Sequence, residues 1–251
     1  MRREPSPVRI TCHALFFGLV IALGSAAPVL AQDLGFSLTE DGTLTARSVQ
    51  LLVLLTVLSL VPALAIMFTC FPFMVTVLAI LRQGIGLQQS PPNMLIVSLA
   101  LFLTYFVMEP VFLAAWQDGI APLIDGQATP EDAAVATIAP FREFMMGRVQ
   151  TDTMSVLADL RADTSGATPE TAPLSLLVPS FLLSEIERAF QIGFLIFLPF
   201  LIIDLVVAAI LMSMGMMMVP PVIVSLPFKL AFFVVADGWS LISGALVRSY
   251  F

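Results

Sequence analysis

The sequence predicts an all-α, membrane-associated fold of two long helical hairpins with a small helical periplasmic insertion between them. Three observations carry the prediction. The chain of 251 residues is 59% hydrophobic and only 12% charged, with a mean hydropathy of +0.99. A soluble domain carries roughly twice that charged fraction. Four apolar segments, each reaching the ~20 residues that cross a bilayer, fall in two pairs joined by turns rich in Gly and Pro. The last pair contains Pro199 to Gly238, nearly uncharged, which holds Asp204, Lys229 and Asp237 beside Met212, Met214, Met216, Met217 and Met218. Charges are costly in such a setting and persist where they pair or perform a task.

Residues 1–31 read as a secretory signal. Arg2, Arg3 and Arg9 make a basic start, Ala14 to Leu23 an apolar core, and Pro28-Val29-Leu30-Ala31 a cleavage context, which places the cut after Ala31. The apolar core is short for a membrane span. Cleavage removes Cys12 and His13, the single histidine, and leaves Cys70 as the remaining cysteine. That excludes an intrachain disulfide, a Ser-His-Asp or Cys-His catalytic set and a histidine metal site. No cofactor is expected. Cys70, between Phe68 and Phe71, reads as a small buried hydrophobe. The net charge of -7, with Lys229 the one lysine, argues against nucleic-acid binding, which needs clustered cations.

After a periplasmic segment, 32–47, the first hydrophobic hairpin is expected over 48–116. Its first arm, Ser48 to Leu81, contains Pro62 and Pro72, which should kink or break it. RQGIGLQQSPPN, residues 82–93, makes the turn. The second arm runs from Met94 to Trp116, with an interruption at Glu109-Pro110.

Residues 117–188 form a polar, acidic insertion and a lead-in helix. Between 117 and 175 the acids face only Arg142, Arg148 and Arg161. Thr129-Pro130-Glu131-Asp132 has the form of a helix start. A second helix is expected after Pro140, with Phe141, Met145, Val149, Val156 and Leu160 as its apolar stripe. Ala162 to Pro173 reads as a loop, and the whole insertion is too short for an independent enzyme domain.

The second hairpin, 189–251, has arms from Ala189 to Ser213 and from Val222 to Val247, with its apex at Met214 to Pro221. The midpoint between Asp204 and Lys229 falls between Met216 and Met217, so two helices leaving the apex carry both charges at similar depth. An ion pair follows as the leading expectation, within or between subunits; a proton or ion relay is the alternative and would need more polar neighbours. The methionine run reads either as an apolar packing turn or as a deformable constriction, since Met is unbranched and polarizable. Composition alone favours packing. In the default topology a cleaved signal leaves the N-terminus outside, Arg82 falls inside as the positive-inside tendency prefers, and the insertion becomes periplasmic. The second apex then faces inward, with no Lys or Arg of its own to support that side.

Two long blocks resemble a known family. FPFMVTVLAILRQGIGLQQSPPNMLIVSLALFLTYFVMEPV, residues 71–111, and VPSFLLSEIERAFQIGFLIFLPFLIIDLVVAAILMSMGMMMVPPVIVSLPFKLAFFVVADGW, residues 178–239, resemble the FliP family of the type III secretion export gate. Ser180 stands where that family usually has Ala. Injectisome relatives share both blocks but generally lack a cleaved signal, so the resemblance points to the flagellar branch. It implies an inner-membrane, multi-pass, pentameric and helically arranged core at the flagellar basal body, built with FliQ-like and FliR-like subunits. FlhB-like and FlhA-like export proteins are further partners, and the cargo is unfolded rod, hook and filament protein. In the family the hairpins assemble into a cone largely above the bilayer. The family's methionine gasket falls on Met216, Met217 and Met218, with Met214 adjacent, and its buried acid and lysine fall on Asp204 and Lys229. Glu185 and Arg188 of SEIERAF are implied intersubunit contacts, against a local i,i+3 ion pair worth a few tenths of a kcal/mol. Glu109 and Asp237 are further candidates.

Such a gate does no covalent chemistry, and no GxxxxGK[ST] nucleotide motif occurs. The resemblance places the energy source in an export ATPase and the proton motive force, acting through other subunits. The competing readings are a multi-pass ion or small-solute transporter, an injectisome subunit, and an intramembrane enzyme. Transporters often repeat their halves, whereas the Met run here occurs once, and the enzyme lacks a nucleophile–base set.

Overall fold

The computed structural model of the protein describes residues 49, 51–56, 59–60, 66–87, 91–216 and 218–251. The expected signal, its cleavage site after Ala31, the segment 32–47 and Met217 lie outside the described residues. The chain forms two compact units, Met1–Val57 and Leu58–Phe251. In the first, residues 51–56 are helical, and Thr56 Oγ1 donates to Val53 O at 2.7 Å.

In the second unit every regular element among the described residues is a helix. Helix α1, Phe71–Ile85, carries Pro72 in its first turn. There the missing proline N–H removes no intrahelical bond, so Pro72 starts the helix rather than kinking it. Phe73, Met74, Val77, Leu78 and Leu81 recur at helical spacing and are buried. Helix α2, Asn93–Ala115, runs unbroken through Pro110, contrary to the expected interruption. Proline removes a single donor, at about 3 kcal/mol. Val107 and Met108 before it and Val111 and Phe112 after it all pack into one core, which holds both halves in line. A π-helical turn at Trp116–Ile120 and the short α3, Ala121–Ile124, extend it.

Helix α4, Pro130–Met146, starts where the sequence places it. The Thr129 hydroxyl oxygen accepts from Asp132 N at 3.2 Å, with Glu131 and Asp132 in the first turn. It too continues through its inner proline, Pro140, so no new helix begins there. The chain turns at 147–150 and α5 follows at Thr151–Asp159. This turn splits the expected stripe: Met145 is buried, whereas Val156 and Leu160 are exposed. Arg142 Nη2 donates to Glu170 O and Ala172 O at 2.9 and 2.6 Å and holds the 161–173 loop against α4.

Helix α6, Leu174–Ser213, is 40 residues long and joins the lead-in and the third apolar segment without a break at Ala189. Ser180 and Ser184 satisfy their hydroxyls on the carbonyls of Leu176 and Ser180, each at 2.7 Å, so these buried polar groups do not interrupt it. The expected last arm is two helices, α7 at Pro221–Val235 and α8 at Gly238–Arg248, bent by 62°. Asp237 at the bend has φ 48°, the left-handed conformation that ends α7.

The main core lies between α1, α2 and the middle of α6, from Ala189 to Phe200, closed by Phe233 of α7 and by Ile242 and Leu246 of α8. Helices α1 and α6 approach closely at Gly193, where an added Cβ would stand 2.5 Å from Ile80 Cδ1. A smaller core joins Met145, Met154, Leu176, Leu177 and Phe181, and Phe144 packs against both cores. By length and composition, Asn93–Ile124 and Leu174–Ser213 can each cross a membrane, and the α7–α8 pair, bent by 62°, has the form of a broken third span or a re-entrant loop. The first expected arm, 48–81, with its proline at 62, lies partly outside the described residues; its described parts are helical at 51–56, 59–60 and 66–67 and, after a turn at 68–70, in α1.

Candidate functional site

Helices α6 and α7 lie side by side and bring Asp204 to Lys229. Lys229 Nζ stands 2.6 Å from Asp204 Oδ2 within one chain. Ser225, four residues before Lys229 and therefore on the same face of α7, donates to Asp204 Oδ1 at 2.5 Å. The third contact is Gly84 O at 3.1 Å from Lys229 Nζ. Gly84 lies in the last turn of α1, where carbonyls lack intrahelical donors and the helix dipole favours a cation. Lys229 is thus both counter-ion to Asp204 and cap to α1. Its side chain is 4% exposed and that of Asp204 26%.

The apex beyond this pair is built by a Schellman turn. Met216 N donates to Leu211 O at 3.0 Å and Gly215 N to Met212 O at 3.1 Å, with Gly215 at φ 73°. Any residue with a Cβ would be strained there. The turn sets Met212, Met214 and Met216 around the end of α6, followed by Met218. All four are exposed, Met218 at 98%.

A second polar cluster lies lower on α6. Glu185 is 0% exposed. Its Oε1 accepts from Arg148 Nε at 3.1 Å, and its Oε2 accepts from the Tyr250 hydroxyl. The Arg148 guanidinium lies 4.0 Å over the Tyr250 ring and donates through Nη1 to Ser249 O at 2.8 Å. Burial, then the Glu185 carboxylate, pushes the Tyr250 phenol well above its usual range, so it remains a donor. Arg188 reaches Glu185 only at 4.0 Å. Of the residues singled out in SEIERAF, Glu185 is therefore committed within the chain, and Arg188 is half-buried beside it. Glu109 is half-buried on α2, and Asp237 is exposed at the α7–α8 bend, so neither joins the two clusters.

Sequence reasoning missed Ser225, Gly84, Arg148 and Tyr250. The i,i+4 spacing of Ser225 and Lys229 was a usable signal, whereas Arg148 and Tyr250 meet Glu185 only through tertiary packing. Among the described residues no group of His, Cys, Asp and Glu is placed to hold a metal ion.

Residues 54–246 match the model of the FliP family. The chain belongs to the FliP family. It is 47% identical over 242 residues to flagellar biosynthetic protein FliP of Caulobacter vibrioides, covering 96% of this chain and 91% of that protein. The FliP of Rhizobium meliloti is 49% identical over 213 residues, covering 84% of this chain and 86% of the relative. That of Bacillus subtilis is 42% identical over 212 residues, 84% and 96%. The matched span contains both polar clusters except Ser249 and Tyr250, and the whole methionine apex. As a FliP-family chain, the protein is a non-enzymatic component of the flagellar protein-export apparatus in the bacterial inner membrane.

Proposed function

We propose that the chain is a pore-forming core subunit of the flagellar export gate, in which the methionine apex seals the path taken by unfolded export substrates. The observation that carries this reading is the apex itself. Four thioether side chains stand uncovered by the chain at the apex of a hairpin whose acid Asp204 is neutralised by Lys229. Exposed apolar side chains on a rigid turn need a partner surface. Thioethers are deformable enough to close on one another and yield to a passing chain.

Several copies of this chain, together with FliQ-like and FliR-like subunits, place these turns around a common axis at the basal body. FlhB-like and FlhA-like proteins deliver the cargo, unfolded rod, hook and filament protein. Met216, Met217 and Met218 form the seal, with Met214 beside them. The Asp204–Lys229 pair keeps the seal's supporting hairpin electroneutral. Arg188, Glu109 and Asp237 supply contacts between subunits. The segment after Ala31 through 47 and the acidic insertion lie on the periplasmic side.

The test is deletion of the chromosomal copy and complementation with Met216, Met217 and Met218 all changed to Ala. Deletion abolishes motility and hook-protein export, and the triple variant restores export while leaking small ions. Normal motility after deletion would reject the reading.

A further inference from the structure

We infer that the methionine apex is a site of reversible oxidation, at which a peroxide converts the thioethers to sulfoxides and loosens the seal; this rests on the sealing role proposed above. Among the described residues, four methionines are enclosed in the core and four others stand uncovered at the apex. Met74, Met108, Met145 and Met154 are core side chains at 0–2% exposure. Met212, Met214, Met216 and Met218 are 62, 65, 38 and 98% exposed within one short stretch of chain. Oxidation of a thioether requires access to a sulfur lone pair; the core methionines are enclosed within the chain, whereas the apex methionines have no cover from the chain itself and, in the sealing role, border the export path. The Schellman turn adds proximity, because it holds Met212, Met214 and Met216 around a single helix end.

The chemistry balances without a further reagent. The sulfur lone pair attacks one oxygen of hydrogen peroxide, the S–O bond forms and the O–O bond breaks. After proton transfer the leaving oxygen departs as water. Sulfur is oxidised by two electrons and the peroxide is reduced by two. A dithiol reductant reverses the step, becoming a disulfide and releasing the oxygen as water. The product matters for a seal. A sulfoxide is polar and accepts hydrogen bonds, so a constriction closed by apolar contact admits water once its thioethers carry oxygen.

The experiment uses the assembled gate containing the full-length chain, reconstituted in vesicles and treated with hydrogen peroxide. Residue-resolved mass spectrometry and ion efflux are read on the same sample. The expected result is oxygen addition at Met212, Met214, Met216 and Met218, sparing Met74, Met108, Met145 and Met154, with a several-fold rise in efflux. Methionine sulfoxide reductases reverse both. A variant with the four apex methionines changed to Leu loses the peroxide-induced rise, measured against its own untreated level. Met94→Leu keeps it, since Met94 is 80% exposed but lies at the start of α2.

The inference is overturned if peroxide oxidises Met94 and leaves the apex unmodified, if the apex is oxidised without a change in efflux, or if the Leu variant still responds. The Met216, Met217 and Met218 to Ala variant separates the two readings. If it leaks untreated while peroxide has no effect on the native gate, the sealing role stands and this inference falls. If it does not leak, the sealing role falls as well.

Discussion

A carboxylate on an apolar helix persists where its oxygens are occupied by donors, and Asp204 meets that condition through Ser225 and Lys229 on one face of α7. Removing one partner leaves the other charge uncompensated, at roughly 3–5 kcal/mol. Asp204→Asn is therefore expected to lower the yield of assembled complex sharply, and Lys229→Met equally so. The double variant should recover much of the loss, because it leaves no charge unpaired in the apolar hairpin. Equal yields from Asp204→Asn and the native chain, measured by co-purification, would mean that the pair carries no such weight. Tyr250→Phe removes one hydrogen bond to a buried carboxylate while keeping the ring over Arg148, and should destabilise by about 1.5–3 kcal/mol. A melting temperature in detergent that does not fall would show that Arg148 alone satisfies Glu185. The Asp204–Lys229 pair was legible because the two residues are equidistant from a turn that Gly and Pro announce. Gly84 was not, since it comes from 145 residues away and contributes only a backbone oxygen.

The elements were legible in kind and less so in extent. Thr129 and Pro221 mark true helix starts, each with a local cause: a capping hydroxyl in one case and proline in the first turn in the other. Pro110 and Pro140 mislead, because the price of an interior proline is smaller than the burial on its two flanks, a balance struck only in three dimensions. The same holds for SEIERAFQ, whose charges suggested the end of a polar insertion. Glu185 is in fact buried in α6 by partners from the α4–α5 turn and residue 250. Close approach of elements is the least visible property of a sequence. Gly193 sits where α1 and α6 meet, and Gly193→Val would drive a branched side chain into Ile80. Overpacking of that kind is typically worth 1–3 kcal/mol. The expected readout is a lower melting temperature of the purified chain, and an unchanged value would mean that the two helices separate freely. Because Gly193 lies far from the apex in sequence, the variant should also leave the pattern of accessible methionines intact.

At the scale of the whole molecule, α6 decides what surrounds the chain. Its 40 residues extend for about 60 Å, twice the ~30 Å of a hydrocarbon core. Lipid therefore leaves a large part of it uncovered, yet exposed apolar side chains run along it from Leu183 through Phe190, Phe194, Leu201 and Leu205 to Met212. The spacing from Phe190 to Met212 alternates between four and seven, the geometry of a stripe that seats against another helix. A protein partner covering this stripe would make a charge at its centre intolerable. Leu205→Arg is the direct test, since Leu205 is 62% exposed within the chain and its replacement disturbs no internal contact of the core. An unpaired charge trapped in such a seam costs roughly 3–5 kcal/mol, so the variant should fold with unchanged helix content but fail to co-purify with its assembly. Val156→Arg is the matched control: Val156 is 64% exposed on the polar insertion, where an added charge meets water, and assembly should proceed. If both variants assemble alike, lipid or solvent covers the stripe, and the length of α6 must be accommodated by tilt instead of by neighbouring chains.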